Sequence, residues 1–255
     1  DRFSFAHLTF QEYFCASNIF KKYYLLGIPK LWEEELRKHL HDPRWQEVIL
    51  LVLGKQNEFP GVTSILVTNI LDAKSPYDDI LQRDFLFAGR CLGDDITVET
   101  LIKNFIIDGL FNLFENRKYR GLVNNVQNIL VGMRGGKYED EVVRKFIEAL
   151  ESDNVSVRSS TVSALGYIGK SSDDVISALI KALGDKDSDV RSSAASALDN
   201  IDNSSADAVS ALIKALGDDE GIVRSYATST LSRIGKSSED VISALIKELE
   251  SDNVS

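Results

Sequence analysis

The sequence predicts an all-α protein, a solenoid of stacked helix pairs behind an irregular helical N-terminal half. Three observations carry that expectation. One stretch recurs every 33 residues through the second half of the chain. Within each recurrence the apolar residues fall at helical spacing, in two stripes separated by a short polar turn. Only 4 of the 255 residues are Pro and 16 are Gly, too few for a chain of many short strands and tight turns. At 44% hydrophobic and 27% charged, the chain has enough apolar material for a sizeable core and does not read as disordered.

The recurrence is plain in register. Val157-Arg158, Val190-Arg191 and Val223-Arg224 are spaced 33 apart, as are Phe146–Leu150, Leu179–Leu183, Leu212–Leu216 and Leu245–Leu249. The last six residues, Glu250–Ser255, repeat Glu151–Ser156. This sets residues 136–255, with three full units and a truncated fourth, apart from the irregular helical stretch before them. In the first helix of a unit, Ile176, Leu179, Ile180 and Leu183 form one stripe. In the second, Val190, Ala194, Ala197, Leu198 and Ile201 form another. The short polar turn from Gly184 to Asp189 makes the two helices antiparallel. Ser171-x-x-Asp174, Ser204-x-x-Asp207 and Ser237-x-x-Asp240 have the spacing of a capping box ahead of each first helix. Gly169 and Gly235 stand where a helix end needs a left-handed residue, with Asp202 the weaker stop between them. Thr161, Ala164, Ala194, Ala197, Ala227 and Thr230 are small enough for close packing of neighbouring units, and stacking of such units is what stabilises a solenoid.

Helix, Asp-rich turn, Val-Arg, then an Ala-rich helix ending in Ile-Gly resembles HEAT repeats, of the short type also found in phycobilin lyases. The resemblance implies a right-handed α-solenoid of HEAT-like helix pairs. It also implies that Arg158, Arg191 and Arg224 form a structural ladder with acidic turn residues such as Asp153, Asp187 and Asp219.

The front half carries helical stripes over 66–71, 80–92, 98–114 and 122–133, read as diverged helix pairs of the same superhelix. Its opening, Phe3 to Ala16, contains Phe5, His7, Thr9, Phe10, Gln11, Glu12 and Tyr13 in the order F-x-H-x-[ST]-F-Q-E-[FY]. That segment resembles the end of the winged-helix region of NACHT-family STAND NTPases, which implies that residues 1–27 are the end of such a region and that the irregular helical pairs occupy 28–135. Asp42–Leu51 and Arg83–Leu92 resemble segments that follow it in such proteins. The resemblance implies that His7 contacts the β-phosphate of ADP in an intact parent, where an imidazole N–H donates to a phosphate oxygen. A His packed between Phe5 and Phe10 is the structural alternative. With Met133 the only Met and Asp1 the first residue, a piece of a longer polypeptide is expected. ADP or ATP would belong to that parent, and no cofactor is expected for this segment.

Other chemistry finds little support. Residues 1–135 carry a net charge of −1 and residues 136–255 a net of −9, a poor counterion for nucleic acid. No apolar run approaches the ~18 residues of a membrane helix. Gly169-Lys-Ser171 and Gly235-Lys-Ser237 mimic the tail of a phosphate-binding loop, but Ala164 and Thr230 occupy the place of its first Gly. Gly135-Gly-Lys137 fails in the same way, with Val131 in that place. His39 and His41 point to different helix faces, so no metal set forms. The Ser-rich repeats hold no His for a nucleophilic triad. Paired carboxylates such as Asp173-Asp174 sit in caps and turns. Cys15 and Cys91 read as buried free thiols in a reducing cytoplasm. No catalytic residue is assigned.

What remains is surface. Ser160, Ser163 and Tyr167, then Ser193, Ser196 and Asn200, then Tyr226, Ser229 and Arg233 form the outward stripe of successive second helices. These positions vary while the apolar columns barely change. Tyr and Arg are residues that interfaces favour, so the stripe is expected to form a partner-binding groove. The resulting expectation is a sensing arm that binds a protein trigger or effector and regulates a NACHT ATPase in cis. A standalone HEAT scaffold or adaptor is the alternative, and a phycobilin lyase-like protein a third.

Overall fold

Helical spacing becomes helix in nearly every stretch that carries it. The computed structural model describes residues 8–24, 27–116, 120–169, 172–201, 205–234 and 246. Among these residues are fourteen α-helices and no strand. The chain divides into two compact units, Asp1–Glu139 and Asp140–Ser255.

In the first unit, α1 (Leu8–Tyr23) packs on α3 (Gln46–Gly54). Between them α2 (Ile28–Leu31) runs on through a π turn (Trp32–Leu36) and a 3-10 turn (Arg37–His39). Further on, α4 (Pro60–Leu71), α6 (Arg83–Gly93) and α8 (Arg120–Gly132) stack in sequence, while α7 (Thr100–Asn116) packs on α6 and α8. Alternate helices therefore form a row. Leu66, Ile70, Leu92, Ile106, Leu110 and Phe114 are fully buried among them.

The stripe over 80–92 predicts one helix, and here the structure differs. A one-turn α5 (Asp78–Leu81) ends at Gln82, whose φ of 51° breaks the helix before α6 begins. The cause is Asp84, which is buried. Its carboxylate lies 2.6 Å from His41 Nε2 and accepts the Ser75 N–H at 2.9 Å, and its own N–H donates to Asp78 Oδ1. A continuous helix would pull Ser75 away from that carboxylate and take the Asp84 N–H away from Asp78. Another stretch, 95–99, is tied down from outside. Asn57 donates to the Asp95 carbonyl at 2.9 Å and accepts from the Thr97 N–H at 2.5 Å. Ser64 Oγ accepts from the Glu99 N–H, and the Tyr138 hydroxyl donates to the Ile96 carbonyl.

The second unit comprises α9 (Glu139–Ala149), α10 (Val155–Ile168), α11 (Asp173–Ala182), α12 (Ser188–Asn200), α13 (Ala206–Ala215) and α14 (Gly221–Ile234). Helices α9/α10, α11/α12 and α13/α14 fall on the three full units predicted, and α12 lies between α10 and α14. Second helices meet much more extensively than the first helices α11 and α13 do. Small residues permit this. A Cβ added at Gly166 would sit 2.8 Å from the Ala197 Cβ, so α10 and α12 cross at near-backbone contact. Thr230 Oγ1 donates to the Ala195 carbonyl at 3.0 Å across the next crossing. Gly169, at φ 69°, ends α10 as predicted; Asp202 and Gly235 lie outside the described residues.

Two details correct the sequence reading. The caps of α11 and α13 are Ser172 and Ser205, one residue later than the boxes placed them. Their hydroxyls accept the N–H groups of Val175 and Ala208, at N3. Asp173, Asp174 and Asp207 thus lie in the first turn, facing the positive end of the helix dipole without a reciprocal bond. Ser171, Ser204, Ser237 and Asp240 lie outside the described residues.

The arginine ladder exists with other partners. Arg158 makes a two-pronged pair with Asp185, Nε to Oδ2 at 2.8 Å and Nη2 to Oδ1 at 2.9 Å. Arg191 repeats this on Asp218 at 2.7 and 2.8 Å. The remaining amino group ties the arginine's own turn: Arg158 Nη1 to the carbonyls of Ser152 and Asp153, Arg191 Nη1 to that of Asp185. Arg224 Nη1 reaches the carbonyls of Asp218 and Asp219. Asp153 and Asp219 therefore contribute main chain to the ladder, and Asp187 caps α12. Arg158 and Arg191 each clasp their own turn and the turn one repeat ahead, 27 residues on. Arg158 is almost wholly buried, so the fork geometry replaces the water its guanidinium gives up.

Candidate functional site

The exposed face of α10, α12 and α14 carries the stripe predicted from sequence. Ser163 and Tyr167 from α10, Ser193, Ser196 and Asn200 from α12, and Tyr226 from α14 line one cavity of about 170 Å³. Ser192 and Ala197 complete its wall. Helical periodicity places these side chains on one face, and the close crossing at Gly166 and Ala197 draws the helices near enough to share a cavity. Tyr167 is 60% exposed and Tyr226 42%, so both rings stand in solvent at its edges.

The other three residues of the stripe sit differently. Ser160 and Ser229 do not line the cavity. Arg233 is held by the preceding repeat: its Nε lies 2.7 Å from Asp199 Oδ1, and its Nη2 donates to the Asp199 carbonyl at 2.8 Å. It forms a rail beside the groove. His7 lies outside the described residues.

Hydroxyls in the groove are partly committed. Ser163 Oγ donates to the Ser159 carbonyl and Ser193 Oγ to that of Asp189. Ser159 and Ser193 hydroxyls meet at 3.1 Å across the α10/α12 crossing. Ser192, which the sequence reading did not place in the stripe, is buried, with its hydroxyl donating to the Asp189 carbonyl. The chemistry on offer is contact: two aromatic faces, a carboxamide and a floor of small polar groups. Among the described residues its lining contains serines but no His, Asp, Glu, Cys or Lys.

The first unit does bring a serine, a histidine and an acid together, at Ser75, His41 and Asp84. Both Ser75 Oγ and Asp84 Oδ1 face the same ring nitrogen, Nε2, at 3.0 and 2.6 Å. A nucleophilic triad needs the acid on one nitrogen and the nucleophile on the other. This cluster is therefore a loop fastener. His39 stacks on the Trp45 ring at 3.8 Å, away from His41. Among the described residues no group of three His, Cys, Asp or Glu side chains forms a metal cluster. Cys91 is buried, and burial pushes its thiol up to about 12. None of the described helices is long and apolar enough to cross a membrane.

In the ladder, Asp218 is held below the usual carboxylate range by the Arg191 guanidinium bonded to it. For Asp185, burial pushes upward, but the hydrogen bonds from Arg158 and the Asp187 N–H together prevail and lower it.

The family model for HEAT repeats matches residues 143–231, from within α9 to within α14. No curated protein matches the chain. Among solved structures, two titled as crystal structures of engineered proteins from the Northeast Structural Genomics Consortium are similar. One is 20% identical with a TM-score of 0.39, covering 84% of this chain and 61% of its own. The other is 22% identical with a TM-score of 0.37, covering 80% of this chain and 96% of its own. The chain thus spans about three-fifths of the first of these.

Proposed function

We propose that the chain is a protein-interaction arm, a HEAT-repeat solenoid whose second-helix face receives a partner protein. The observation that carries this is the shared cavity between Tyr167 and Tyr226, with both rings exposed and the helices beneath them locked by packing. Rigid aromatic anchors beside small polar groups suit recognition, because little side-chain freedom is lost on binding. A photo-crosslinking residue at Ser196 tests it. One discrete protein from the native host should be captured, and Tyr167→Ala with Tyr226→Ala should abolish capture. Equal capture from a probe at Lys186, on the turn edge, would defeat the groove reading.

The finer proposal concerns an ATP-binding switch of NACHT type, N-terminal to Asp1 in a cytoplasmic signalling or antiphage-defence protein. It rests on the resemblance of residues 3–16. A trigger in the groove would favour the open form through its differential affinity for two arrangements, and His7 would leave ADP on opening. In a parent carrying such a switch, His7→Ala should speed ADP release severalfold. Unchanged release would leave the alternative, a standalone HEAT scaffold, which uses the same groove without a nucleotide.

A further inference from the structure

The groove of α10, α12 and α14 offers its occupant a one-sided set of polar atoms, which narrows what a partner can present there. A serine hydroxyl carries one proton. Ser163 donates its proton to the Ser159 carbonyl at 3.1 Å, Ser193 to the Asp189 carbonyl at 2.7 Å, and Ser192 to that same carbonyl at 3.1 Å. The Ser159 and Ser193 hydroxyls meet at 3.1 Å, and with its own proton spent Ser193 is the acceptor of that pair. Three of the four serines lining the cavity therefore offer it lone pairs and no proton. Ser196 and the Asn200 carboxamide can serve either way. The floor asks for a donor.

Charge and shape point the same way. None of the described residues lining the cavity is Lys or Arg. Arg233, on the rail beside it, is met by the Asp199 carboxylate and carbonyl. Residues 136–255 carry a net charge of −9, which draws cations from solution and repels anions. The exposed rings of Tyr167 and Tyr226 line the cavity, and the electron-rich face of such a ring attracts a cation placed over it. At about 170 Å³ the cavity is smaller than the ~300 Å³ of an ordinary ligand pocket, a size for one side chain. A neutral carboxamide would meet the lone pairs but gain little from the rings or the net charge. An ammonium would gain from both, yet its protons radiate from one point. A guanidinium is flat, stacks on an aromatic ring, and spreads five N–H donors along its edge.

We infer that the groove receives an arginine side chain of the partner protein. Its guanidinium stacks on a tyrosine ring, and its N–H groups donate to the hydroxyl oxygens of Ser163 and Ser193. This rests on the reading of the groove as a protein interface and specifies what the partner presents to it.

The test is an NMR titration of the full 255-residue chain with acetyl-Gly-Ser-Arg-Ser-Gly-amide, and with the same peptide carrying norleucine, lysine or glutamate in place of arginine. The arginine peptide should give saturable shifts of the Ser163, Ser193 and Ser196 backbone amides and of the Asn200 side-chain amide. Its own δ-methylene protons should move upfield in the ring current of the tyrosines. Norleucine should bind about tenfold more weakly, the loss of one charge-assisted hydrogen bond. Tyr167→Leu with Tyr226→Leu should abolish the upfield shift and weaken the arginine peptide about fivefold, with the urea unfolding midpoint unchanged. Equal binding of the norleucine peptide, tighter binding of the glutamate one, or no saturable shift with arginine overturns the inference. A lysine peptide that matches the arginine one overturns the guanidinium assignment. Crosslinked capture at Ser196 by a chain with no preference for arginine keeps the groove and removes the arginine; no capture at Ser196 removes both.

Discussion

The two units stack alternate helices in the same way and fasten them differently. In the second unit one device recurs at a fixed interval: Arg158 on α10 and Arg191 on α12 each clasp their own turn and the carboxylate one repeat ahead. In the first unit each fastening is particular to its place. Asp84 gathers His41 and Ser75, Asn57 brackets residues 95–97, and Tyr138 holds Ile96. Periodic fastening couples neighbours and lets the sequence repeat. Local fastening fixes one loop at a time and leaves no period to read. A solenoid can be built either way, provided that the second helices bury a continuous row of apolar residues.

That contrast can be broken most forcefully at Asp185. Replacing it with Ala leaves the Arg158 guanidinium buried without its partner, which should cost about 3–5 kcal/mol in urea unfolding. Asp153→Ala, the partner expected from sequence, removes no carboxylate from the ladder and should stay within about 0.5 kcal/mol. In the first unit, Asp84→Asn should cost about 1–3 kcal/mol. Its effect should be local: faster hydrogen exchange over residues 75–84, with the second unit's protection unchanged. Gly166→Val should cost about 1–3 kcal/mol by overpacking the α10/α12 crossing.

Acid sharpens the comparison. Asp185 and Asp218 are lowered in the folded chain, so their contribution is present above the unfolded carboxylate value of ~3.9 and is lost as pH falls through their lowered values. Asp94 has the opposite sign, being raised. Its contribution is present below the unfolded value and is lost as pH rises through the folded one. Exchange followed from pH 6 down to pH 3 should therefore show the ladder turns opening while the end of α6 gains. The smallest effect belongs to the groove: Tyr167→Ala and Tyr226→Ala should each shift stability by no more than about 0.5 kcal/mol, since both rings stand in solvent. A large loss in thermal unfolding would mean that the rings are core.

Legibility followed the same division. The 33-residue interval made the helix pairs of the second unit, their buried columns and the face shared by Ser163, Tyr167, Ser196 and Tyr226 readable without coordinates. The ladder's acids were not readable, because Asp153, Asp185, Asp187, Asp218 and Asp219 all stand in the turns and only geometry decides which one a guanidinium fork can reach. Cap positions slipped by one for a similar reason, since Ser171 and Ser172 are adjacent candidates. The break at Gln82 carries no Gly or Pro to announce it; it follows from a buried carboxylate whose partners, His41 and Ser75, are distant in sequence. Arg233 looked free on its stripe because Asp199, 34 residues earlier, belongs to another helix.

The forward reach of Arg158 and Arg191 also gives the second unit a polarity. A chain cut after Asn200 would strip Asp218 from Arg191, so damage at the trailing end passes to the repeat before it. A chain begun at Asp173 keeps the Arg191–Asp218 clasp whole and loses only a donor that its own first turn can do without. Loosening should therefore travel from the C-terminal side toward the N-terminal one, like a row of links hooked in a single direction.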